Sequence, residues 1–152
     1  MLRCGTPRPG SIGDGESLKH GGRKNGKAKF RNQKDNIIAL ATVENGMPCV
    51  RNVDAYYEDG AFYVITYALS NKMKQIEKNP VVAIAGDWFT AHGKGINLGY
   101  FGKDENKNIA AKLKKAFCAW IDNGHTNFED ENTCILCIQL TDGVLLFCLF
   151  PP

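Results

Sequence analysis

The sequence predicts a mainly β, α+β domain: a small antiparallel barrel of six or seven strands with two flanking helices. Short runs rich in β-branched and aromatic residues recur from residue 36 onwards, each at the length of a single strand. Tight-turn signals such as Asn45-Gly46 separate several of these runs. Only two segments predict helices. Many short strands with few helices are typical of small barrels.

Composition limits the class of protein. The chain has 152 residues, of which 43% are hydrophobic and 23% charged, as is ordinary for one domain with a real core. No apolar run approaches the ~18 residues of a membrane-spanning helix. The first residues carry charge and glycine in place of the apolar segment of a secretory signal. We therefore expect a cytoplasmic protein with no membrane partner.

Positive charge is concentrated at the start of the chain. Residues 1–34 hold nine Lys and Arg against two acids, whereas the rest of the chain holds ten basic and fourteen acidic residues. Because this segment is also rich in glycine, 1–34 is predicted to be a basic flexible tail and 35–150 the folded domain. A nucleic-acid partner is not expected, because aromatic residues are missing from the tail apart from Phe30.

The first three strands form a predicted meander. Residues 37–43 are apolar and β-branched, and the Asn45-Gly46 pair that follows favours a two-residue hairpin turn. A second strand is predicted at 48–57 and a third at 61–67, with a tight turn at 58–60 between them. Strands joined by turns this short run antiparallel.

A short helix is predicted after the third strand. Ser70 is a candidate N-cap, Lys72 would lie in the first helical turn, and Pro80 cannot continue the helix. These signals predict a helix over 71–78, followed by a fourth strand at 81–88.

The second half of the chain alternates strands with one longer helix. The predicted order is a loop at 89–95, a fifth strand at 96–101, a helix at 106–121, a sixth strand at 133–140, a turn at 141–143 and, at 144–150, a seventh strand or an exposed apolar end. The helix prediction depends on apolar residues that recur at three- and four-residue intervals from Ile109 to Ile121.

Two cations near the short helix predict an anion site. A helix N-terminus offers unpaired N–H groups and partial positive charge. Lys72 would add a full charge there, and Arg51 on the second strand can supply another. Taken singly, each residue is typical of an ordinary solvated charge. Together they favour a phosphate group, which binds Arg, Lys, hydroxyls and N–H groups.

The cysteines do not predict a disulfide framework or a metal site. Six are present at irregular spacing, without a secretory signal. Cys134 and Cys137 form a CxxC pattern, but they lie in a predicted strand, where residues three apart face opposite sides. We expect small buried hydrophobic residues. His92, in the predicted loop, is either an ordinary loop histidine or a proton donor to a substrate.

Taken in order, these residues resemble the pyridoxamine-phosphate-oxidase-like family of FMN-binding split barrels. The family has Arg-x-Val on one strand, as in Arg51 and Val53, and a second strand that ends in threonine, as in Thr66. A Ser-[Arg/Asn]-Lys turn then opens a helix with Gln-Ile-x-x-Asn-Pro, as in residues 70–80. The resemblance covers about 36–104 and extends loosely to Phe147. It implies the split-barrel topology.

The resemblance also implies an FMN site at the subunit interface of a homodimer. The implied cofactor-binding residues are Arg51, Asn52, Val53, Asp54, Ile65, Thr66, Ser70, Asn71, Lys72 and Lys94. Lys94 lies in the segment that matches the contribution of the second subunit. Asn71 replaces an arginine that is often found in the family, so a lower affinity for the phosphate is expected.

The implied function is that of an FMN-dependent oxidoreductase acting on a small molecule, in the general-stress or nitroimidazole-reductase-like branch. The family's pyridoxal-phosphate-holding C-terminal segment has no counterpart before Pro152, so the resemblance supports the cofactor better than that reaction. The alternative is a non-catalytic flavin or haem carrier on the same fold, with His20, His92 or His125 as candidate haem ligands. A deazaflavin is a further option. The catalytic residues are not predicted.

Overall fold

A computed structural model describes residues 36–145, which form a six-stranded antiparallel barrel with two α-helices. The strands are β1 (Asn36–Glu44), β2 (Met47–Glu58), β3 (Ala61–Tyr67), β4 (Val81–Ala85), β5 (Phe89–Tyr100) and β6 (Thr133–Leu145), and the helices are α1 (Asn71–Lys78) and α2 (Lys107–Ala116). The predicted fold class is confirmed. The predicted tail 1–34 and positions 146–150 of the predicted seventh strand lie outside the described residues.

The predicted meander of β1, β2 and β3 is confirmed. At its first turn Asn45 and Gly46 have φ values of 49° and 79°, and at its second Asp59 and Gly60 have 46° and 84°. Glycine, Asn and Asp adopt this left-handed backbone at low cost, which is why these pairs mark hairpin turns.

Helix α1 has the bounds and the N-cap residue that the sequence predicts, but the cap lacks its side-chain hydrogen bond. Ser70 occupies the N-cap position with an extended backbone, yet its side chain makes no capping hydrogen bond. Its carbonyl oxygen accepts the N–H groups of Met73 and Lys74, each at 3.1 Å. Met73 and Ile76 are buried and anchor the helix on the barrel interior.

The predicted loop at 89–95 is wrong, because these residues are the first half of β5. The glycines here allow close approach of neighbouring chain. A Cβ atom added at Gly93 would lie 2.8 Å from the carbonyl oxygen of Gln139, and one at Gly95 would lie 2.8 Å from Cγ2 of Ile76. Glycine in a strand marks such close packing as often as it marks a loop.

The predicted turn at 141–143 is also wrong, because β6 continues to Leu145. There it pairs with β5, with His92 opposite Asp142. The register shifts by one residue between His92 and Gly93, so that Thr141 is skipped, and the strand continues through the turn-forming residues. The described beginning of the predicted seventh strand therefore belongs to β6.

Two elements are shorter than predicted. β4 ends at Ala85, and the Gly86 N–H then bonds the Phe89 carbonyl at 2.9 Å to turn the chain. α2 ends at Ala116, although Phe117 and Ile121 beyond it remain buried in the same cluster as the helix. Their apolar spacing extended the prediction to 121, because periodicity reports burial even where the chain has left the helix.

The barrel is split between β2 and β3. β1 closes the ring by pairing with both β2 and β4, and β3 pairs with β6 along its whole length. Within the described chain, β2 and β3 pair with each other only where 56–58 meet 61–63. The ring is closed, but only these three residue pairs join β2 to β3, which is consistent with the split barrel that the resemblance implies.

Apolar residues pack in two clusters, one on each side of the sheet. The barrel interior contains Ile38, Leu40, Val53, Phe62, Val64, Met73, Ile76, Ile84, Phe89, Cys134, Leu136 and Ile138. The outer cluster, under α2, contains Tyr56, Phe101, Ala110, Leu113, Phe117, Ile121 and Ile135. The interior cluster carries α1, and with it the predicted phosphate site.

The CxxC cysteines face different surroundings. Cys134 packs in the barrel interior, whereas Cys137 is hydrogen-bonded to Tyr63. Burial raises the pKa of both thiols, which makes them poor nucleophiles. Across residues 36–145, no group of three or more His, Cys, Asp and Glu side chains could hold a metal ion. In the same part of the chain, no helix has the length and apolar character needed to cross a membrane.

Candidate functional site

The structure brings the two predicted cations, Arg51 and Lys72, into electrostatic contact. Arg51 lies on β2 and Lys72 in the first turn of α1, and both are half-buried. Burial lowers the pKa of Lys72 from its ordinary value, and the positive charge of Arg51 lowers it further. The thiolate form of Cys134 would act in the opposite direction, but burial raises the pKa of that thiol and disfavours this form.

No carboxylate neutralises this pair of cations within the described part of the chain. The lysine ion pairs found there are Lys103–Glu105, Lys107–Asp104 and Lys112–Glu58, and His92 is hydrogen-bonded to Asp142. Two like charges that are partly removed from water repel each other and lose hydration. An anion bound between them would relieve both costs.

Two hydroxyl groups beside the cations have no partner in the described structure. The Oγ1 atom of Thr66, at the end of β3, and the Oγ atom of Ser70 are shielded from solvent and make no hydrogen bond there. An unsatisfied buried hydroxyl costs about 1–3 kcal/mol. Both residues belong to the predicted site, so the predicted donors are also the ones the protein leaves unused.

The start of α1 adds backbone donors to this set. The Ser70 side chain does not cap the helix, and no acidic residue lies in the first turn. The field of the helix N-terminus is therefore not offset locally. Asn71, the first helical residue, is exposed.

The remaining predicted ring-binding residues lie along the split. If the pairing of β2 with β3 continued past Tyr56 and Tyr63, Asp54 would lie opposite Ile65 and Val53 opposite Thr66. Instead the register between the two strands ends at Tyr56 and Tyr63. Val53 points into the barrel interior, whereas the Asn52 side chain is exposed. A separated strand edge presents backbone N–H and C=O groups that a ligand can bind.

Lys94 lies away from the other predicted residues. It is exposed on β5, in register with Val81 of β4 and Gln139 of β6. In the ring order β1-β2-β3-β6-β5-β4, the strand β5 is across the barrel from β2. One protomer alone therefore does not bring Lys94 to Arg51.

The structure adds two site residues that the sequence analysis missed, Thr42 and Gln75. Nη1 of Arg51 donates to Oγ1 of Thr42 at 2.5 Å, and Nη2 donates to Oε1 of Gln75 at 2.9 Å. Thr42 is fully buried and Gln75 is 4% exposed. A signal for Gln75 existed, because it lies between the apolar Met73 and Ile76 on the helix face that packs on the barrel.

A cavity lies on the outer face of the barrel. It has a volume of about 310 Å³, and its walls are Ala39, Ala41, Val50, Ala83, Ile84, Ala85, Thr90, Ala91, His92, Asp142, Gly143 and Val144. Two of its polar side chains, the exposed His92 and Asp142, are hydrogen-bonded, with Nδ1 and Oδ1 2.8 Å apart. None of its described lining residues is a lysine or an arginine. We call it the outer cavity.

Comparison with known families agrees with the motif order. A family model described as pyridoxamine 5'-phosphate oxidase matches residues 26–142, which is more than half of the chain. The chain belongs to the pyridoxamine 5'-phosphate oxidase family. The predicted family resemblance is thus confirmed. No match is found among curated proteins.

Solved structures resemble this member of the pyridoxamine 5'-phosphate oxidase family at low identity. General stress protein 26 from Bacillus anthracis is 21% identical over 75% of this chain and 86% of its own, with a TM-score of 0.58. A FAD-binding protein from Mesorhizobium loti is 15% identical over 73% of this chain and 85% of its own, with a TM-score of 0.59. HutZ, the heme storage protein from Vibrio cholerae, is 16% identical over 74% of this chain and 87% of its own, with a TM-score of 0.60. At these identities the similarity establishes the fold alone.

Proposed function

We propose that this chain is an FMN-binding flavoprotein that acts as an oxidoreductase on a small molecule. The observation that carries the proposal is the pair Arg51 and Lys72, half-buried together with no carboxylate partner in the described chain. Membership of the pyridoxamine 5'-phosphate oxidase family supports it, as does the similarity to a FAD-binding protein.

The donor set fits the phosphate of FMN. The dianion would lie between Arg51 and Lys72, and the unused hydroxyls of Thr66 and Ser70 would donate to its oxygens. The backbone N–H groups at Asn71 and Lys72 would complete the set. Such a site binds a phosphate ester in preference to the uncharged riboflavin.

The isoalloxazine ring would lie along the split. Residues Asn52, Val53 and Asp54 would run along one side and Ile65 along the other, and their backbone groups would pair with the polar edge of the ring. When bound, the flavin supplies the chemistry by accepting and passing on hydride or electrons. The protein's part is to hold the phosphate, orient the ring and leave one ring face open to substrate.

A homodimer is part of the proposal. The outer cavity and its surroundings expose apolar side chains, including Val50 at 67% and Val144 at 61%. Exposed apolar patches on this scale mark interaction surfaces. A second copy packed here would cover them, and would supply Lys94 to the cofactor site of its partner. We propose a cytoplasmic location on the grounds given by the sequence.

A haem carrier is the second candidate, because of one observation in the outer cavity. Nδ1 of His92 is held by Asp142, which leaves Nε2 as the free ring nitrogen. Histidines that bind metals commonly have this carboxylate partner. The similarity to a heme storage protein favours the same reading. A non-catalytic flavin carrier and a deazaflavin-dependent protein use the same phosphate donors and remain alternatives within the first candidate.

A visible absorption spectrum tests the proposal directly. Purified protein is measured before and after addition of FMN and desalting, beside the variants Lys72→Met and Lys74→Met. Lys74 is exposed on the same helix, so its variant is the matched control. We expect wild type and Lys74→Met to retain the two flavin bands, and Lys72→Met to bind FMN about tenfold or more weakly, because a charge-assisted phosphate contact is lost.

The same samples separate the alternatives. Wild-type protein that retains no FMN would contradict the flavin proposal. A Soret band after addition of haem, lost in His92→Ala, would support the carrier instead. If FMN is retained, oxidation of NAD(P)H or reduction of a nitroaromatic compound distinguishes an enzyme from a flavin carrier.

A further inference from the structure

Arg51 is held by a buried polar network between β1 and α1. Its two terminal nitrogens donate to Thr42 and Gln75, and Oγ1 of Thr42 donates in turn to Oε1 of Gln75 at 2.5 Å. The three side chains thus form a closed ring of hydrogen bonds. A guanidinium held at two nitrogens has little rotational freedom left.

The orientation of the Gln75 amide is fixed by its neighbours. Its Oε1 atom accepts from both Arg51 and Thr42, and its Nε2 atom donates to Oε2 of Glu44 at 2.9 Å. If the amide were turned over, Nε2 would face the guanidinium donor and Oε1 would face a carboxylate. Both contacts would then be repulsive, so only one orientation serves the network.

The network has a cost that helix anchoring alone does not require. Met73 and Ile76 already pack α1 on the barrel interior. A leucine at position 75 could join them without the desolvation of a buried amide. Instead Gln75 draws the guanidinium of Arg51 towards the helix that carries Lys72, against the repulsion between the two cations.

We infer that Gln75 is a positioning residue that holds the guanidinium of Arg51 beside Lys72, so that the two cations form one site for a phosphate dianion. This inference rests on the proposed function. The role of Gln75 is indirect, because it acts through Arg51 and need not touch the ligand. Thr42 shares the role by bonding the other terminal nitrogen.

The test is a comparison of FMN with riboflavin, which lacks the phosphate. Kd is measured for both ligands by fluorescence quenching in wild type, Gln75→Leu and the control Glu77→Leu, an exposed position on the same helix. We expect Gln75→Leu to weaken FMN binding about tenfold while riboflavin binding stays within about twofold, because only a phosphate contact is lost. Glu77→Leu should match wild type.

A second readout reports the phosphate itself. At saturating FMN, the ³¹P resonance of the bound phosphate should move between wild type and Gln75→Leu, while the visible flavin spectrum stays the same. A purely structural role for Gln75 would lower the melting temperature without moving the ³¹P resonance. It would also weaken both ligands alike.

A double variant covers the case in which Gln75→Leu does not fold. Exchange of the two partners in Glu44→Gln/Gln75→Glu keeps their hydrogen bond but sets a carboxylate against Arg51, so FMN affinity should fall relative to riboflavin. If wild type binds FMN and the variants bind it with the same affinity, the inference about Gln75 is wrong but the proposed function stands. Wild-type protein that binds no FMN overturns the proposed function and this inference with it.

Discussion

The outer cavity and the Arg51–Lys72 site differ in what each lacks. The cavity is spacious, at about 310 Å³, but alanine and valine form most of its described walls, and His92 and Asp142 are hydrogen-bonded to each other. The cationic site instead has two charges without an acid and two hydroxyls without a partner in the described chain. Imbalance of charge and hydrogen bonding identifies a ligand site better than volume does.

The difference also suggests what each surface binds. Exposed apolar side chains such as Val50 and Val144 favour contact with another protein surface. Unmatched cations instead require an anion. We therefore propose that the outer cavity faces a second protomer and that the cationic site binds the cofactor, and the following substitutions test that proposal.

The largest effect is expected for Arg51→Met. It removes a phosphate contact and leaves Thr42 and Gln75 without their shared donor, so FMN should bind about a hundredfold more weakly and the free energy of unfolding should fall by about 1–3 kcal/mol. Fluorescence titration and chemical denaturation measure the two effects. Arg51→Lys keeps the charge but not the bidentate donor, so its FMN affinity should lie between those of Arg51→Met and wild type. Equal FMN affinity in all three proteins would remove Arg51 from the site.

Val50→Glu tests the other surface. Val50 neighbours Arg51 on β2 but points outwards, to the outer cavity. In a symmetric dimer the new carboxylate would be buried against apolar residues, so the dimer should dissociate about tenfold or more readily. Light scattering across a dilution series measures this, with Asn108→Glu on the exposed face of α2 as control. A dimer of unchanged stability would show that the interface lies elsewhere.

A smaller effect is expected from pH. The pKa of Lys72 is lowered by burial and by Arg51. The charged ammonium form, which would bind the phosphate, therefore predominates below that lowered pKa and is lost as the pH rises through it. FMN affinity should therefore fall, by up to about tenfold, at a pH where an ordinary lysine is still charged. The stability of the FMN-free protein should move the opposite way over this window, because the unfolded chain binds the proton more tightly.

Lys72→Arg supplies the control for the pH effect. Arginine stays charged throughout this range, so the alkaline loss of FMN affinity should disappear. Titrations of both proteins from neutral to alkaline pH, with riboflavin as the uncharged ligand, measure the difference. A loss that persists in Lys72→Arg would have to come from another group, such as the buried Cys134 thiol, whose pKa is raised.

Local rules in the sequence were sufficient for the first half of the barrel. The Asn-Gly and Asp-Gly turns and the Ser70-to-Pro80 helix signals gave β3 and α1 with their observed bounds. The 89–95 and 141–143 predictions failed because the same glycines serve long-range packing. Only the pairing of β5 with β6 and the contact of Gly95 with Ile76 reveal this, and neither partner is near in sequence.

The residues of the candidate site also divide into those that the sequence predicts and those that only the packing reveals. Arg51, Ser70 and Lys72 could be selected because helix position and residue type suffice to suggest an anion site. Thr42 could not, since its role depends on which β1 side chain faces Arg51 across the hairpin and towards α1. The unused state of the Thr66 and Ser70 hydroxyls is likewise a property of the assembled packing.

The contact between Gly95 and Ile76 has a consequence for the depth of the site. Because position 95 has no side chain, α1 lies directly against β5, and this spacing sets how far Lys72 and Gln75 reach across the barrel towards β2. A methyl group at position 95 would contact Ile76 and push α1 away from β5. The geometry of the proposed phosphate site thus depends partly on a residue that carries no functional group.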